Sequence, residues 1–274
     1  SQFLLILSAC KLNDEQEDEK IKKISYEINR FSTLLQLQRS YDSNDFNITI
    51  YKINERIREG EVDNIRDIFD EYLIQLISDN RGFKAKEPFS YGLFKDVGIE
   101  LRKRFRRYFF ARIEHFIAKN TNLGMKHDFY DLVVNTGSVN GFHIEHILAN
   151  NEENLSKFNN DQELFERERN RLGGLLLLKG RDNISSNNEV YREKLKTYAN
   201  TLYWNETLRE DSYKSKLDFT NMMDEYDLNF RPMNEFGPSE LEERQKLLYE
   251  IAKIIERVPS SVEFAIHSIT PNSS

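Results

Sequence analysis

Apolar side chains recur at helical spacing through the first half of the chain. The clearest stripe consists of Val62, Ile65, Ile68, Phe69, Tyr72, Leu73, Leu76 and Ile77. An earlier stripe consists of Ile24, Ile28, Phe31, Leu34 and Leu35. Both patterns are typical of amphipathic helices. The segment 79–82, Asp-Asn-Arg-Gly, has the composition of a helix end and closes the helix predicted over 62–77.

A further long helix is predicted from about residue 91 to residue 119. It contains a basic cluster that is interleaved with aromatic and aliphatic side chains. The cluster consists of Arg102, Lys103, Arg104, Arg106 and Arg107. Such a cluster could form a phosphate-binding ridge. The same spacing describes an amphipathic helix with one cationic, solvated face, and we favour this second interpretation.

The pattern changes after the turn-rich segment 135–141. Two short apolar runs, 142–148 and 172–178, have the length of strands and are separated by a polar, charged stretch. Helical spacing returns over 187–199. The order predicted for this region is therefore strand, loop, strand, helix.

The chain becomes helical again beyond Trp204. Ser239 and Glu242 have the spacing of a capping box, and the apolar stripe that follows ends at Pro259. We expect residues 260–274 to form a frayed tail. The predicted fold is mainly α with a small embedded β unit (α+β): a helical region over 1–138, a core with the strand, loop, strand, helix order over 139–205, and a C-terminal helical region over 206–274.

Composition restricts the class of protein. Hydrophobic residues at 39% and charged residues at 31% describe a soluble globular chain, and a net charge of −7 leaves only local patches for contact with nucleic acid. Cys10 is the only cysteine, which excludes a disulfide framework and favours a reducing, cytoplasmic location. Leu7-Ser-Ala-Cys10 has the form of a lipoprotein cleavage site, but the apolar run over 3–7 is too short for a signal peptide. The sequence contains no apolar stretch long enough to cross a membrane.

The candidate chemistry lies in His143-Ile-Glu-His146 and in Asn183. Glu145 and Asn183 offer oxygen ligands, which suit a hard cation such as Mg²⁺ or Mn²⁺. His146 can take a proton from water. Adjacent residues of an ideal strand point to opposite faces, so Glu145 and His146 can serve one centre only where the strand gives way to a loop. His143 shares a face with Glu145 and is a reserve metal ligand or phosphate contact.

The motifs resemble those of one family of nucleases. They are Phe142-His-Ile-Glu-His-Ile-Leu148, then Arg171-Leu-Gly-Gly-Leu-Leu-Leu-Leu178, then Asn183, Ser186-Asn187 and Lys194. This series is similar to the C-terminal domain of GmrSD-type restriction endonucleases, which carry an HNH (ββα-metal) nuclease unit. The segments 108–114 and 243–249 also look similar to that family, so the resemblance covers most of the chain.

The resemblance implies a metal-dependent endonuclease that bacteria use against phage DNA, often DNA with modified bases. It implies His146 as the general base, and Glu145 and Asn183 as ligands of a single Mg²⁺ or Mn²⁺. It also implies a ParB-like nucleotide-hydrolysing domain as an N-terminal or separate partner. Six basic residues flank the motif and are candidate phosphate contacts, with ordinary solvated charge as the alternative. They are Arg171, Lys179, Arg181, Arg192, Lys194 and Lys196.

Two positions depart from the family pattern. Gly174 stands where the family has an asparagine that braces the histidine loop, and Ala149 stands where it has a proline. Asn150, Asn151 or Asn170 could replace the lost side chain. Because the loss of an orienting group lowers activity without changing the fold, a catalytically weakened nucleic-acid-binding or assembly module is the alternative. A purely structural helical scaffold is a third interpretation, and it predicts no salt-dependent affinity for DNA.

Overall fold

The structure is a computed structural model, and it describes residues 2–58, 61–186, 189–214 and 217–257. The described residues are 62% helical and carry a small antiparallel sheet of two strands, which confirms a mainly α fold with an embedded β unit. It divides into two compact units, Ser1–Phe94 with Ile255–Ser274, and Lys95–Ile254. The core expected over 139–205 therefore lies inside a larger unit that begins at residue 95. No helix of the described residues is long and apolar enough to span a bilayer.

The first unit is built from helices. They are α1 (Gln2–Ala9), α2 (Glu17–Leu37), α3 (Ser43–Ile57), α4 (Ile65–Arg81) and α5 (Tyr91–Phe94). The helices predicted from the two apolar stripes are confirmed as α2 and α4, and members of both stripes, such as Phe31 and Phe69, are fully buried. The predicted end of α4 is also confirmed. Gly82 adopts the left-handed backbone (φ 69°) that glycine tolerates, and its N–H closes the helix on Ser78 O at 2.9 Å.

The second unit contains both strands and the remaining helices. In chain order these are α6 (Lys103–Asn120), α7 (Phe129–Val134), β1 (Phe142–His146), α8 (Glu152–Ser156), α9 (Gln162–Arg169), β2 (Leu175–Lys179), α10 (Gly180–Ser186), α11 (Tyr191–Thr197), α12 (Tyr203–Glu206), α13 (Leu217–Tyr226) and α14 (Pro238–Ile255). Helix α6 packs against both strands. The two strands and the helix after them are confirmed, but the predicted loop between the strands is wrong, because it contains α8 and α9, which Asn151 and Asp161 cap. The second strand begins at Leu175 rather than at Leu172, and residues 187–188 of the predicted helix lie outside the described residues.

The single long helix predicted over 91–119 is wrong. Helices α5 and α6 are separated by a non-helical segment, 95–102. In this segment the carbonyl of Val97 accepts a hydrogen bond from the N–H of Leu172 at 3.0 Å. A Cβ on Gly98 would lie only 2.0 Å from the carbonyl oxygen of Asn170. The backbone of segment 95–102 therefore packs against and hydrogen-bonds to the loop that precedes β2. These tertiary contacts outweigh the helical preference of the segment's sequence.

Helix α14 begins two residues earlier than its capping signal predicted. Pro238 occupies the first helical position, which proline favours, and the Glu240 carboxylate accepts from the N–H of Gly237 at 3.0 Å. The predicted Ser239–Glu242 capping box is therefore wrong, since Glu242 instead pairs with Arg171 at 2.6 Å. The apolar stripe is confirmed where it is described, with Leu248 and Ile251 fully buried. Residues 258–274, which include the predicted tail, lie outside the described residues.

Candidate active site

Strands β1 and β2 pair antiparallel, from Phe142 opposite Lys179 to His146 opposite Leu175. The ladder continues one step beyond β1, because the N–H of Ile147 donates to Gly174 O at 2.9 Å. Strand β2 is buried along its four leucines. A buried partner strand fixes the register of β1, and therefore which face each of its side chains occupies.

Glu145 points into the protein and meets a lysine from α11. Its Oε1 lies 2.5 Å from the Nζ of Lys194, and the two side chains are 4% and 1% exposed. The same Nζ donates to the backbone carbonyl of His146 at 2.7 Å. Lys194 therefore holds both the carboxylate and the end of the strand that presents it.

His146 points to the other side of β1 and contacts Asn170, the residue that follows α9. The distance from His146 Nε2 to Asn170 Oδ1 is 2.9 Å, and Asn170 Nδ2 donates to the carbonyl of Glu166 at 2.7 Å. Because the amide nitrogen of Asn170 is engaged with a carbonyl, its oxygen faces the imidazole and accepts the Nε2–H. This assignment leaves Nδ1 of His146 as the unprotonated, basic nitrogen.

The environment of His146 keeps its imidazole neutral. Burial lowers the pKa of His146 to about 4. The hydrogen bond with Asn170 opposes this shift, and the positive charges of Arg169, Arg106 and Lys194 reinforce it. A neutral imidazole with a fixed tautomer can accept a proton at neutral pH.

Asn183 reaches the same strand from α10. Its Nδ2 donates to the carbonyl of Ile144 at 3.4 Å, so the amide lies beside the segment that carries Glu145 and His146. Backbone bonds from Gly180 to Gly141 O (2.9 Å) and from Arg181 to Val139 O (3.2 Å) fix the start of α10 against the loop before β1. The fold therefore brings Asn183 beside β1, while the side chains of Glu145 and His146 lie on opposite faces of that strand.

The donor types of this site, a carboxylate and an amide oxygen, suit a hard cation. In this conformation Lys194 holds the Glu145 carboxylate, and Asn183 turns its Nδ2 toward the carbonyl of Ile144. The described residues contain no cluster of three or more His, Cys, Asp or Glu side chains arranged to hold a metal. A cation here would depend on the Glu145 carboxylate and the Asn183 amide oxygen, and hard divalent cations accept such oxygens together with water. The expected reserve ligand, His143, lies at the edge of the sheet, where its Nε2 is 3.4 Å from Gly137 O.

Comparison with known proteins assigns the family. The family model for the C-terminal domain of GmrSD restriction endonucleases matches residues 14–251. The chain belongs to this family. Comparisons with curated proteins and with solved structures give no significant match. Membership makes the chain part of a family of restriction nucleases.

The structure gives a physical reason for the glycine that replaces the asparagine of the GmrSD pattern. A Cβ on Gly174 would lie 2.9 Å from the carbonyl oxygen of Arg169, closer than real Cβ atoms come to a backbone atom. Asn170, four residues earlier, contacts His146 instead. Of the three asparagines considered as substitutes, Asn170 makes this contact, whereas Asn151 caps α8 by accepting from Asn154 N at 2.9 Å. Ala149, in place of the family proline, is buried.

Two of the expected phosphate contacts of this GmrSD-family chain are buried ion-pair partners instead. Arg171 binds Glu168 at 2.7 Å and Glu242 at 2.6 Å, and its Nε donates to the carbonyl of Lys95. Lys194 is held by Glu145. Neither side chain is available to DNA in this conformation.

The remaining basic candidates lie nearer the surface. The side chains of Arg181 and Lys196 are 64% and 71% exposed, and each contacts a neighbouring carboxylate. Lys179 lies over the ring of Phe142, with its Nζ 6.0 Å from the ring centroid. Arg192 is exposed. These four remain predicted phosphate contacts.

Proposed function

We propose that this protein is a divalent-metal-dependent DNA endonuclease of a bacterial anti-phage restriction system, acting in the cytoplasm. The observation that carries the proposal is that β1 holds Glu145 and His146 and is contacted by Asn183, with the imidazole fixed by Asn170. Family membership supports the nuclease class. The family resemblance also motivates a ParB-like nucleotide-hydrolysing domain as a partner, and phage DNA as the substrate.

In the proposed reaction, His146 Nδ1 accepts a proton from a water molecule. The water oxygen forms a bond to phosphorus, the bridging P–O bond breaks, and the leaving alkoxide takes a proton from solvent. Asn170 keeps Nδ1 free by holding the Nε2–H. Glu145 and Asn183 would hold Mg²⁺ or Mn²⁺, and the bound cation supplies neutralisation of the charge that develops on the phosphate and leaving oxygens.

Cleavage of plasmid DNA tests the assignment directly. We expect the wild-type protein to nick supercoiled plasmid with Mg²⁺ or Mn²⁺, and His146→Ala to lose this activity by at least about 10²-fold, because the proton acceptor is removed. His115→Ala is the matched control, since that histidine lies on α6 outside the motif. Equal cleavage by wild type and His146→Ala would refute the assignment.

The alternative is a catalytically weakened module that binds nucleic acid, and the replacement at position 174 favours it. Asn170 discriminates between the two functions. If the protein is an enzyme, Asn170→Ala lowers the cleavage rate about 10- to 100-fold, because an orienting partner is lost. DNA affinity is unchanged in this variant. A binding module shows salt-dependent DNA affinity without cleavage in wild type or variant.

A further inference from the structure

Arg106 is a buried cation in the second turn of α6. It is 7% exposed, and its Nε is buried without a hydrogen-bond partner among the described residues. Arg104, another arginine of the basic cluster, is exposed to solvent. The solvated interpretation of the cluster therefore holds for Arg104 but fails for Arg106.

No ion pair of the described residues includes Arg106. Burial lowers the pKa of Arg106, and the charge of Glu100 offsets this only in part. Arg171, buried to a similar degree, is instead held by two carboxylates. Burying a guanidinium without a counter-charge costs free energy, so the fold retains at this place a cation that its own described side chains do not neutralise.

The structure separates Arg106 from two other cations of the site by their partners. Arg169 is paired with Glu166 at 3.2 Å and also donates to a backbone carbonyl. Lys194 is paired with Glu145. Among the described residues, Arg106 has no such pair.

Helix packing accounts for this position. Helix α6 packs against β1, and the segment that leads into α6 is tied to the loop after α9 by the bond from Leu172 N to Val97 O at 3.0 Å. The first turns of α6 therefore lie beside the loop that supplies Asn170 to His146. Arg106 lies in these first turns, on the helix that packs against the strand carrying His146.

We propose that Arg106 binds the DNA phosphate that is attacked at His146, and that this phosphate supplies the counter-charge missing from the fold. The inference rests on the proposed function and adds to it a substrate-binding residue outside the motif. The guanidinium fork matches two phosphate oxygens, a geometry that lysine cannot reproduce.

Three variants test the inference: Arg106→Gln, Arg106→Lys, and Arg104→Gln as the matched control on the exposed face of the same helix. In single-turnover cleavage of plasmid with Mn²⁺, we expect Arg106→Gln to lose about 10²-fold, as when a donor to a developing oxyanion is removed. Arg106→Lys should recover part of the loss because it restores the charge. Arg104→Gln should remain within about threefold of wild type, because a single exposed charge adds little.

Binding provides an arm that does not need cleavage. The affinity for a short DNA duplex is measured in EDTA at several salt concentrations. A plot of the logarithm of affinity against the logarithm of salt concentration should have a slope smaller in magnitude by about one in Arg106→Gln than in wild type. An unchanged slope overturns the inference, even if the wild type does not cleave. Wild-type cleavage by Arg106→Gln, beside an inactive His146→Ala, overturns it while the proposed function stands. Unfolding of both the Gln and the Lys variants would assign Arg106 to the fold and also overturn it.

Discussion

The Glu145–Lys194 pair makes the sharpest prediction about the site. Both side chains are almost completely buried, at 4% and 1% exposure, and Nζ lies 2.5 Å from Oε1. Lys194→Met keeps the aliphatic volume but leaves a buried carboxylate without its ammonium. Removing one partner of a buried pair costs about 3–5 kcal/mol. Because both side chains are almost inaccessible to water, we expect Lys194→Met to lower the free energy of unfolding by an amount in that range.

Trp204 makes the measurement specific. It is the only tryptophan of the chain, is 1% exposed, and lies in the same compact unit as the pair. Urea unfolding followed by its fluorescence therefore reports on the unit that carries the site. The double variant Glu145→Gln/Lys194→Met removes both charges and should be more stable than Lys194→Met alone by about 1–3 kcal/mol.

Divalent cations connect this stability to the proposed metal site. A cation bound by Glu145 can neutralise the carboxylate that Lys194→Met leaves without a counter-charge. Saturating Mn²⁺ should therefore raise the urea midpoint of unfolding of that variant. At a hundredfold excess over the dissociation constant the gain is about 2.7 kcal/mol. The double variant should show no such gain. A Lys194→Met protein as stable as wild type, or equal stabilisation of the double variant by Mn²⁺, would refute the reasoning.

Two further predictions concern groups around the site. Burial raises the pKa of Glu114 to about 7, although backbone N–H groups of α12 favour its charged form. Between pH 4.5 and about pH 7, Glu114 is therefore protonated in the folded protein but ionised in the unfolded chain. The free energy of unfolding should fall by about 3 kcal/mol as pH rises through this window. Glu114→Gln should remove most of this pH dependence. The Trp204 assay at pH 5 and pH 8 measures this, and an equal decrease in the variant would contradict it. Gly174→Asn should destabilise by about 1–3 kcal/mol because its Cβ meets the Arg169 carbonyl at 2.9 Å; a variant with unchanged urea midpoint would show that the loop yields.

Local patterns predicted much of the fold. The two apolar stripes predicted α2 and α4, and the two short apolar runs predicted the strands. These predictions succeed because the spacing of apolar residues follows from the face that an element buries. Each of these elements is determined by a few neighbouring residues. The approach of Asn183 to the strand carrying Glu145 and His146 was instead implied by the family resemblance, and it joins residues that are 39 positions apart.

Partners distant in sequence could not be predicted in the same way. Spacing does not distinguish a lysine that faces phosphate from one that is buried against a carboxylate, and Lys194 meets Glu145 across 49 residues. The break before α6 has the same origin, since Gly98 is fixed by Asn170, which is remote in the chain. Arg106 resembled a solvated member of a basic cluster for this reason too. Only the tertiary fold shows that its Nε is buried.

The orientation of His146 depends on Asn170 rather than on the residue at position 174. A Cβ at 174 would lie 2.9 Å from Arg169 O and 3.4 Å from the side chain of Leu241, so a larger residue there requires the backbone to shift. The contact with His146 comes instead from Asn170, whose Nδ2 is fixed by the carbonyl of Glu166 in the same helical turn. An asparagine restored at 174 would therefore displace the loop that carries the present brace, and its failure to raise activity would say nothing against catalysis. The informative comparison is Asn170→Ala, which removes the contact while leaving the backbone intact.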